Sequence, residues 1–251
     1  MVFDPIKDVS IIILAAGLGT RMKSNMAKVL HKVKGKPMIS HVLLSACEVA
    51  GKNVIVVVGH QADLVKGACL KVSPVSFAFQ KEQRGTGHAV LCAMPEIPDT
   101  MENVIILCGD VPLLKTDTIR DLLADHIKEK RDLSLLAVEP EDPTGYGRVV
   151  MNADRELTRI VEEADANNDE KNISLVNSGI YCVRKTFLSS SLKKISPDNA
   201  QGEFYLTDII GVGYSMGKHI GVLVGSNPEE ISGVNTSADL AAVELLMDTY
   251  R

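Results

Sequence analysis

The chain has 251 residues, of which 45% are hydrophobic and 24% are charged, so it is long enough for one large α/β domain. Its 32 acidic and 27 basic residues give a net charge of −5, which argues against nucleic acid or an acidic membrane as a partner. No stretch approaches the roughly 18 consecutive apolar residues of a membrane span, and the N-terminus lacks a signal-peptide pattern. The five scattered cysteines lack metal-ligand spacing and predict reduced thiols in the cytoplasm.

A phosphate-binding loop is predicted directly after a buried strand over residues 9–13. The loop reads LAAGLGTRM, and its glycines let backbone N–H groups face an anion. Arg21 and the nearby Lys28 add two cations, a combination that suits a polyphosphate. The alternative is a plain strand-to-helix turn with solvated charges. Met22 occupies the third glycine position of a dinucleotide fingerprint, and no Gly-Lys-Ser/Thr triplet follows, so neither common nucleotide motif applies.

Strands and helices alternate through the first half of the chain. Strands are predicted over residues 9–13, 53–58, 75–79, 104–108 and 133–138, and helices over residues 37–50, 86–93 and 116–130. This alternation predicts an α/β fold with a Rossmann-like, doubly wound, mostly parallel sheet. Ligands of such sheets bind beyond the carboxyl ends of the strands. The opening loop, Gln80 and Asp110 each follow a strand, so we expect them to line one pocket.

The second half has a β-rich character. The predicted elements are a hairpin over residues 149–151 and 157–161, a mobile loop over 163–172, strands over 175–183 and 219–224, and helices over 206–216 and 238–250. No linker divides the chain. We therefore expect one domain over residues 1–251, with a nucleotide-binding core at about 9–138 and a substrate-binding insertion and C-terminal part at about 139–251.

Three polar residues and a glycine near predicted strand ends carry candidate chemistry in the first half. Asp110, beside a glycine, suits Mg²⁺, which takes one or two carboxylates together with phosphate oxygens; its alternative is a turn cap. The amide of Gln80 matches the edge of a pyrimidine base, and Gly85 allows a close backbone approach, unless that turn only begins a helix. We interpret His88 as structural rather than as a general base.

The second half offers candidates for binding a sugar. Gly147, within the motif GYGR, exposes backbone N–H groups at the start of the insertion, or simply begins a hairpin. Glu162 and Asn177 suit sugar hydroxyls, although each is alternatively a surface polar residue. Asn235, within GVNT, is either a second metal ligand through its oxygen or a helix cap.

Taken in order, the motifs resemble a known family. They are LAAGLGTRM with a following Lys, QKEQRGTGHAV, GDVPL, GYGR, IVEEADA, VNSGIY, QGEFYLTD and GVNT. This set is similar to the sugar-1-phosphate nucleotidyltransferases, and most closely to the uridylyltransferase domain of bacterial N-acetylglucosamine-1-phosphate uridylyltransferases, over about residues 9–250. The first motif alone marks the superfamily, whereas GTGHA, GYGR and QGEFYLTD are specific to this branch.

The resemblance implies that UTP and N-acetyl-α-D-glucosamine 1-phosphate react to UDP-N-acetylglucosamine, a cell-wall precursor, and pyrophosphate. It implies that the uridine is held by Leu14, Ala15, Gly17, Gln80, Gly85 and Thr86. It implies that the sugar side is formed by Gly147, Glu162, Asn177 and Tyr205. Arg21 and Lys28 are the implied catalytic cations. Asp110 and Asn235 are the implied Mg²⁺ ligands, and Asn235 also counts as a substrate-binding residue.

Three departures from the family pattern stand out. Cys108 occupies a position that is usually aromatic, and Ala164 a position that is usually Lys. Bifunctional members continue into a β-helix that carries acetyltransferase activity and makes them trimers; this chain stops after one more helix, so we expect no acetyl transfer and leave the oligomeric state open. The alternatives are the same chemistry with another sugar 1-phosphate or NTP, and a non-catalytic regulatory subunit that binds a nucleotide sugar.

Overall fold

A computed structural model describes Ile6 and residues 8–249. Its strands are β1 Val9–Ala15, β2 Lys32–Val33, β3 Lys36–Pro37, β4 Val54–Val58, β5 Ser76–Phe79, β6 Asn103–Cys108, β7 Leu133–Val138, β8 Arg148–Met151, β9 Leu157–Val161, β10 Val176–Arg184 and β11 Ile220–Val224. Its α-helices are α1 Met38–Ala50, α2 Ala62–Leu70, α3 Thr86–Ala93, α4 Thr116–Lys128, α5 Asn168–Lys171, α6 Lys185–Ser191, α7 Asp208–Ser215 and α8 Ser237–Thr249. The predicted end of the last helix at Tyr250 lies outside the described residues.

The central sheet has the strand order β11-β7-β10-β6-β1-β4-β5. Neighbouring strands along this path run parallel, except that β10 is antiparallel to both β6 and β7. The hairpin of β8 and β9 joins the sheet beside β10. The predicted mostly parallel α/β sheet is therefore confirmed, and a strand from the second half of the chain lies in the middle of it.

Helices cover both faces of the sheet because side chains of a strand alternate between its two faces. In β1, Ile11 and Ile13 belong to the core on the face of α1, α2 and α4. Ile12 belongs to the core on the opposite face, with α3, α6 and α7. A third cluster, which includes Val234 and Val243, packs α8 and the segment before it against Met22 of the opening loop. The fold is doubly wound, and its C-terminal segment lies beside that loop.

The segment over residues 163–172, predicted as a mobile loop, contains regular structure. This segment contains the short helix α5, which begins with a capping box between Asn167 and Glu170. Helices α2 and α6 were not predicted. In the described part of the chain, no helix is both long enough and apolar enough to cross a bilayer.

His126 is a buried titratable group between α4 and β7. Its ring Nδ1 lies 2.9 Å from the hydroxyl of Ser134, and Nε2 has no hydrogen-bond partner among the described residues. Burial, together with the charges of Arg184 and Arg131, lowers the pKa of His126 from 6.5 to about 4; Asp125 and Asp132 oppose this shift. The folded protein therefore holds a neutral imidazole at pH values where the unfolded chain is protonated.

We expect this histidine to make the fold sensitive to acid. Between pH 6.5 and 4 the unfolded state binds one proton more, so the free energy of unfolding falls as pH falls, by at most about 1.4 kcal/mol per unit from this group. His126→Asn keeps a polar atom near Ser134 but does not titrate. Urea unfolding at pH 7.0, 6.0 and 5.0 should give a flatter dependence for the variant, and equal slopes would contradict the assignment.

Candidate active site

The opening loop connects β1 to a turn of 3-10 helix over Thr20–Met22. Gly19 has a φ of +64°, and a Cβ added there would lie 2.5 Å from Cβ of Lys28. Any other residue would therefore strain the backbone and displace Lys28. Gly19 lets the loop pass directly over the lysine that the sequence predicts to bind phosphate.

A cleft of about 480 Å³ opens at the carboxyl ends of β1, β5 and β6. It brings together these predicted site residues: Leu14, Ala15, Gly17, Lys28, Gln80, Gly85, Thr86 and Asp110. Cys108 and Glu203 also line it. The expectation that the opening loop, Gln80 and Asp110 share one pocket is therefore confirmed.

A cluster of two cations, a carboxylate and an amide lies at one side of this cleft. The ammonium of Lys28 forms an ion pair with Asp110 and donates a hydrogen bond of 2.7 Å to Oδ1 of Asn235. Arg21 donates to the same oxygen at 2.8 Å. The side chains of Lys28 and Asp110 are only 16% and 21% exposed, so water screens their attraction incompletely. The cluster holds one positive charge in excess, which favours an anionic ligand.

Asn235 is free of the helix-capping role that the sequence left open. Thr236 and Asp239 cap α8, because Asp239 accepts the backbone N–H groups of residues 235 and 236, and the hydroxyl of Thr236 accepts the N–H of Asp239. The amide nitrogen of Asn235 donates to the carbonyl of Gly233 at 3.2 Å. This contact turns Oδ1 of Asn235 toward Lys28 and Arg21.

The turn before α3 forms the opposite side of the cleft. Gly85 has a φ of +101°, and a Cβ there would lie 2.6 Å from the carbonyl oxygen of Phe204. The segment 204–206 pairs closely with this turn, because Gly87 donates its N–H to Phe204 and the hydroxyl of Thr86 accepts the N–H of Leu206. The sequence signal for this contact is the motif QGEFYLTD, from which only Tyr205 was predicted as a site residue.

Three of the four predicted sugar-side residues, Gly147, Glu162 and Asn177, converge at the start of β10. The backbone N–H of Asn177 donates to the carbonyl of Gly147 at 2.8 Å, and a Cβ on Gly147 would lie 3.2 Å from Oε2 of Glu162. The hydroxyl of Tyr181 donates to Oδ1 of Asn177 at 3.0 Å. This group adjoins the cleft through Gly179, whose added Cβ would lie 2.9 Å from Sγ of Cys108.

Burial shapes the acid–base properties of this side. It raises the pKa of Glu162, an effect that the hydrogen bond from Thr207 partly offsets. It also raises the pKa of Tyr205 to about 12, with the carboxylate of Asp165 adding to the shift. Tyr205 is therefore a neutral phenol, and Glu162 is a partly desolvated acceptor suited to hydroxyl groups.

Cys108 and Ala164, the two residues that depart from the family pattern, lie in different environments. Burial, with the charge of Asp110 adding to it, raises the pKa of Cys108 to about 12, so its thiol stays protonated and is no nucleophile. The thiol instead donates a weak hydrogen bond to the carbonyl of Gly179 at 3.6 Å. Ala164 is exposed on the loop before α5.

Arg148 organises the insertion but was not predicted as a site residue. It is 2% exposed, pairs with Glu163 at 2.9 Å and donates to the carbonyl groups of Tyr146 and Lys171. Glu163 in turn accepts the N–H of Gly145. These contacts hold the turn that carries Gly147. The only sequence signal was the last letter of GYGR.

Comparisons with known proteins identify the family of this chain. A model of the MobA-like NTP transferase domain matches residues 11–177. A crystal structure of a candidate glucose-1-phosphate thymidylyltransferase from Bacillus anthracis, in complex with sucrose, has the same fold, with a TM-score of 0.71 and 23% identity. That match covers 95% of this chain and 94% of the other.

Several curated relatives carry the name bifunctional protein GlmU. The protein of Caldanaerobacter subterraneus subsp. tengcongensis is 47% identical over 94% of this chain, and that of Corynebacterium efficiens is 43% identical over 92%. The chain spans about half of each of these relatives, 51% and 49%. The protein of Desulfotalea psychrophila is 43% identical over 94% of the chain, which covers 69% of that relative.

The resemblance inferred from the motifs is thereby confirmed. The family model spans the opening loop and the strands up to the start of β10, and the relatives from Caldanaerobacter and Desulfotalea each cover 94% of the chain. The chain belongs to the MobA-like NTP transferase family of nucleotidyltransferases, in the branch that contains the uridylyltransferase domain of GlmU.

Proposed function

We propose that the protein joins UTP and N-acetyl-α-D-glucosamine 1-phosphate to give UDP-N-acetylglucosamine and pyrophosphate. The observation that carries this proposal is the excess positive charge of the cluster around Lys28, at one side of the cleft that Gln80 and Gly85 also line. The five cysteines are free thiols, which suits a reducing compartment such as the cytoplasm.

The reaction needs alignment and charge neutralisation rather than proton transfer. A phosphate oxygen of the sugar 1-phosphate forms a bond to the α-phosphorus of UTP, and the bond from that phosphorus to the pyrophosphate oxygen breaks. The attacking phosphate is already ionised at pH 7, so no general base is required. Lys28 and Arg21 exchange Asn235 and Asp110 for the triphosphate oxygens and stabilise the departing pyrophosphate.

The residues at the cluster fit a Mg²⁺ ion. Oδ2 of Asp110 and Oδ1 of Asn235 both contact the ammonium of Lys28, so the two oxygens already face one cationic centre. Among the described residues, no group of three or more His, Cys, Asp and Glu side chains forms a metal site. A carboxylate and an amide oxygen suffice for Mg²⁺ when phosphate oxygens and waters complete its shell. When bound, the ion supplies charge neutralisation at the α-phosphate.

Pyrophosphate release tests the proposed substrates directly. The purified protein is incubated with Mg²⁺ and UTP, together with N-acetylglucosamine 1-phosphate, glucose 1-phosphate or N-acetylgalactosamine 1-phosphate. We expect release with the first to be well above the others, because the chain is 47% identical to a GlmU protein over 94% of its length. Release with only one of the other sugar phosphates would show that this compound is the substrate. UTP binding without any release would favour the regulatory alternative.

Substitutions in the cation cluster test its catalytic role. We expect Lys28→Ala and Asp110→Ala each to lower turnover by about 100-fold or more, because Lys28 would stabilise negative charge on the phosphates and Asp110 would hold the Mg²⁺ ion. Lys52→Ala, in the exposed turn after α1, is the matched control and should retain full activity. Circular dichroism checks folding. A folded variant with unchanged turnover would remove its residue from the mechanism.

A further inference from the structure

The side-chain amide of Gln80 is held by two contacts at the base side of the cleft. Gln80 is 3% exposed. Its Nε2 donates to the carbonyl oxygen of Gly85 at 3.1 Å and lies 3.0 Å from Nδ1 of His88. Both partners belong to the turn and first residues of α3. The proposed reaction leaves His88 without any part in proton transfer.

These contacts determine the orientation of the amide. A carbonyl oxygen only accepts hydrogen bonds, so the atom of Gln80 beside Gly85 must be the nitrogen. The second amide hydrogen then points at His88, whose Nδ1 must be the accepting, unprotonated nitrogen. The ring proton of the neutral histidine is therefore on Nε2, which lies 3.9 Å from the weak acceptor Sγ of Cys92.

Because both amide hydrogens are engaged, only Oε1 of Gln80 remains to form a hydrogen bond with a ligand, as an acceptor. In the described part of the chain it accepts no hydrogen bond, and Gln80 lines the cleft. An acceptor there pairs with the imide N3–H of uracil or thymine. Cytosine presents an acceptor at N3 instead, so two lone pairs would face each other without a proton.

We propose that His88 is a positioning residue that fixes the amide of Gln80 and so restricts the cleft to nucleotides with an imide base. This inference rests on the proposed function, in which the pyrimidine lies against Gln80. His88 can act in this way because its backbone is fixed: Gly87 donates to Phe204 at 2.8 Å, and Thr86 accepts from Leu206 at 3.0 Å.

Without an acceptor at position 88, one amide hydrogen of Gln80 loses its partner. A half-turn of the amide, which presents its N–H groups to the base where one suits N3 of cytosine, then breaks only the contact with Gly85 instead of two contacts. The carbonyl of Gly85 alone engages only one of the two hydrogens. His88 is thus the second contact that keeps the N–H groups of the Gln80 amide away from the ligand.

The tautomer of His88 can be measured without any activity. A long-range ¹H–¹⁵N spectrum of the nucleotide-free protein at pH 8 resolves the ring nitrogens of its six histidines, and the signals lost in His88→Asn identify residue 88. We expect Nε2 to carry the proton and Nδ1 to be unprotonated. A proton on Nδ1 would overturn the proposal, because that nitrogen would then donate.

Nucleotide preference provides the second test. In pyrophosphate release with UTP, TTP and CTP, we expect His88→Leu to lower the UTP-to-CTP ratio of kcat/KM by about tenfold, since it frees one donor. His88→Asn places an accepting oxygen near the position of Nδ1 and should keep the ratio within about twofold. His219→Leu, an exposed histidine before β11, is the control for loss of an imidazole.

The outcomes separate this inference from the proposed function. An unchanged UTP-to-CTP ratio in folded His88→Leu, or an equal loss in His88→Leu and His88→Asn, would overturn the role of His88 alone. If the wild-type protein released no pyrophosphate with any of the three nucleotides, the proposed function would be contradicted instead. The tautomer measurement would still test how His88 holds Gln80.

Discussion

The contact between the ammonium of Lys28 and the oxygens of Asp110 and Asn235 joins three parts of the chain that are far apart in sequence. Lys28 follows the opening loop, Asp110 follows β6, and Asn235 precedes α8. The backbone reinforces this junction, because Val234 donates its N–H to the carbonyl of Asp110 at 3.0 Å. Arg21 and Lys28 share Oδ1 of Asn235, and only Lys28 pairs with a carboxylate, so a positive charge remains that attracts a polyanion. The same contact therefore links the C-terminal segment to the sheet and assembles the cation cluster of the candidate site.

The sheet explains how such distant residues meet. Parallel strands β1, β4 and β6 place the segments that follow them at one edge. Strand β10 then brings Asn177 and the insertion to the neighbouring part of that edge. Buried Arg148 holds the turn of Gly147 against this strand. The proposed nucleotide and sugar subsites thus adjoin each other at one edge of the sheet.

The sequence predicted the parts of the molecule that depend on local patterns. Continuous apolar runs located β1, β6 and β7, and strand ends located the cleft. Helix α2 was missed because only Val65 and Cys69 are buried and Gly67 interrupts its pattern. The central, antiparallel placement of β10 depends on tertiary pairing, which no local pattern encodes. Arg148 was missed because its partners, such as the carbonyl of Lys171, come from distant segments.

Equilibrium binding of uridine, UMP, UDP and UTP to the resting protein, without a sugar phosphate, tests the central claim most directly. If the cluster around Lys28 binds the triphosphate, affinity should rise along this series. In Lys28→Met, the gain from UMP to UTP should shrink by about tenfold while uridine binds as before. Equal affinity for all four ligands, or an undiminished gain in Lys28→Met, would contradict the account.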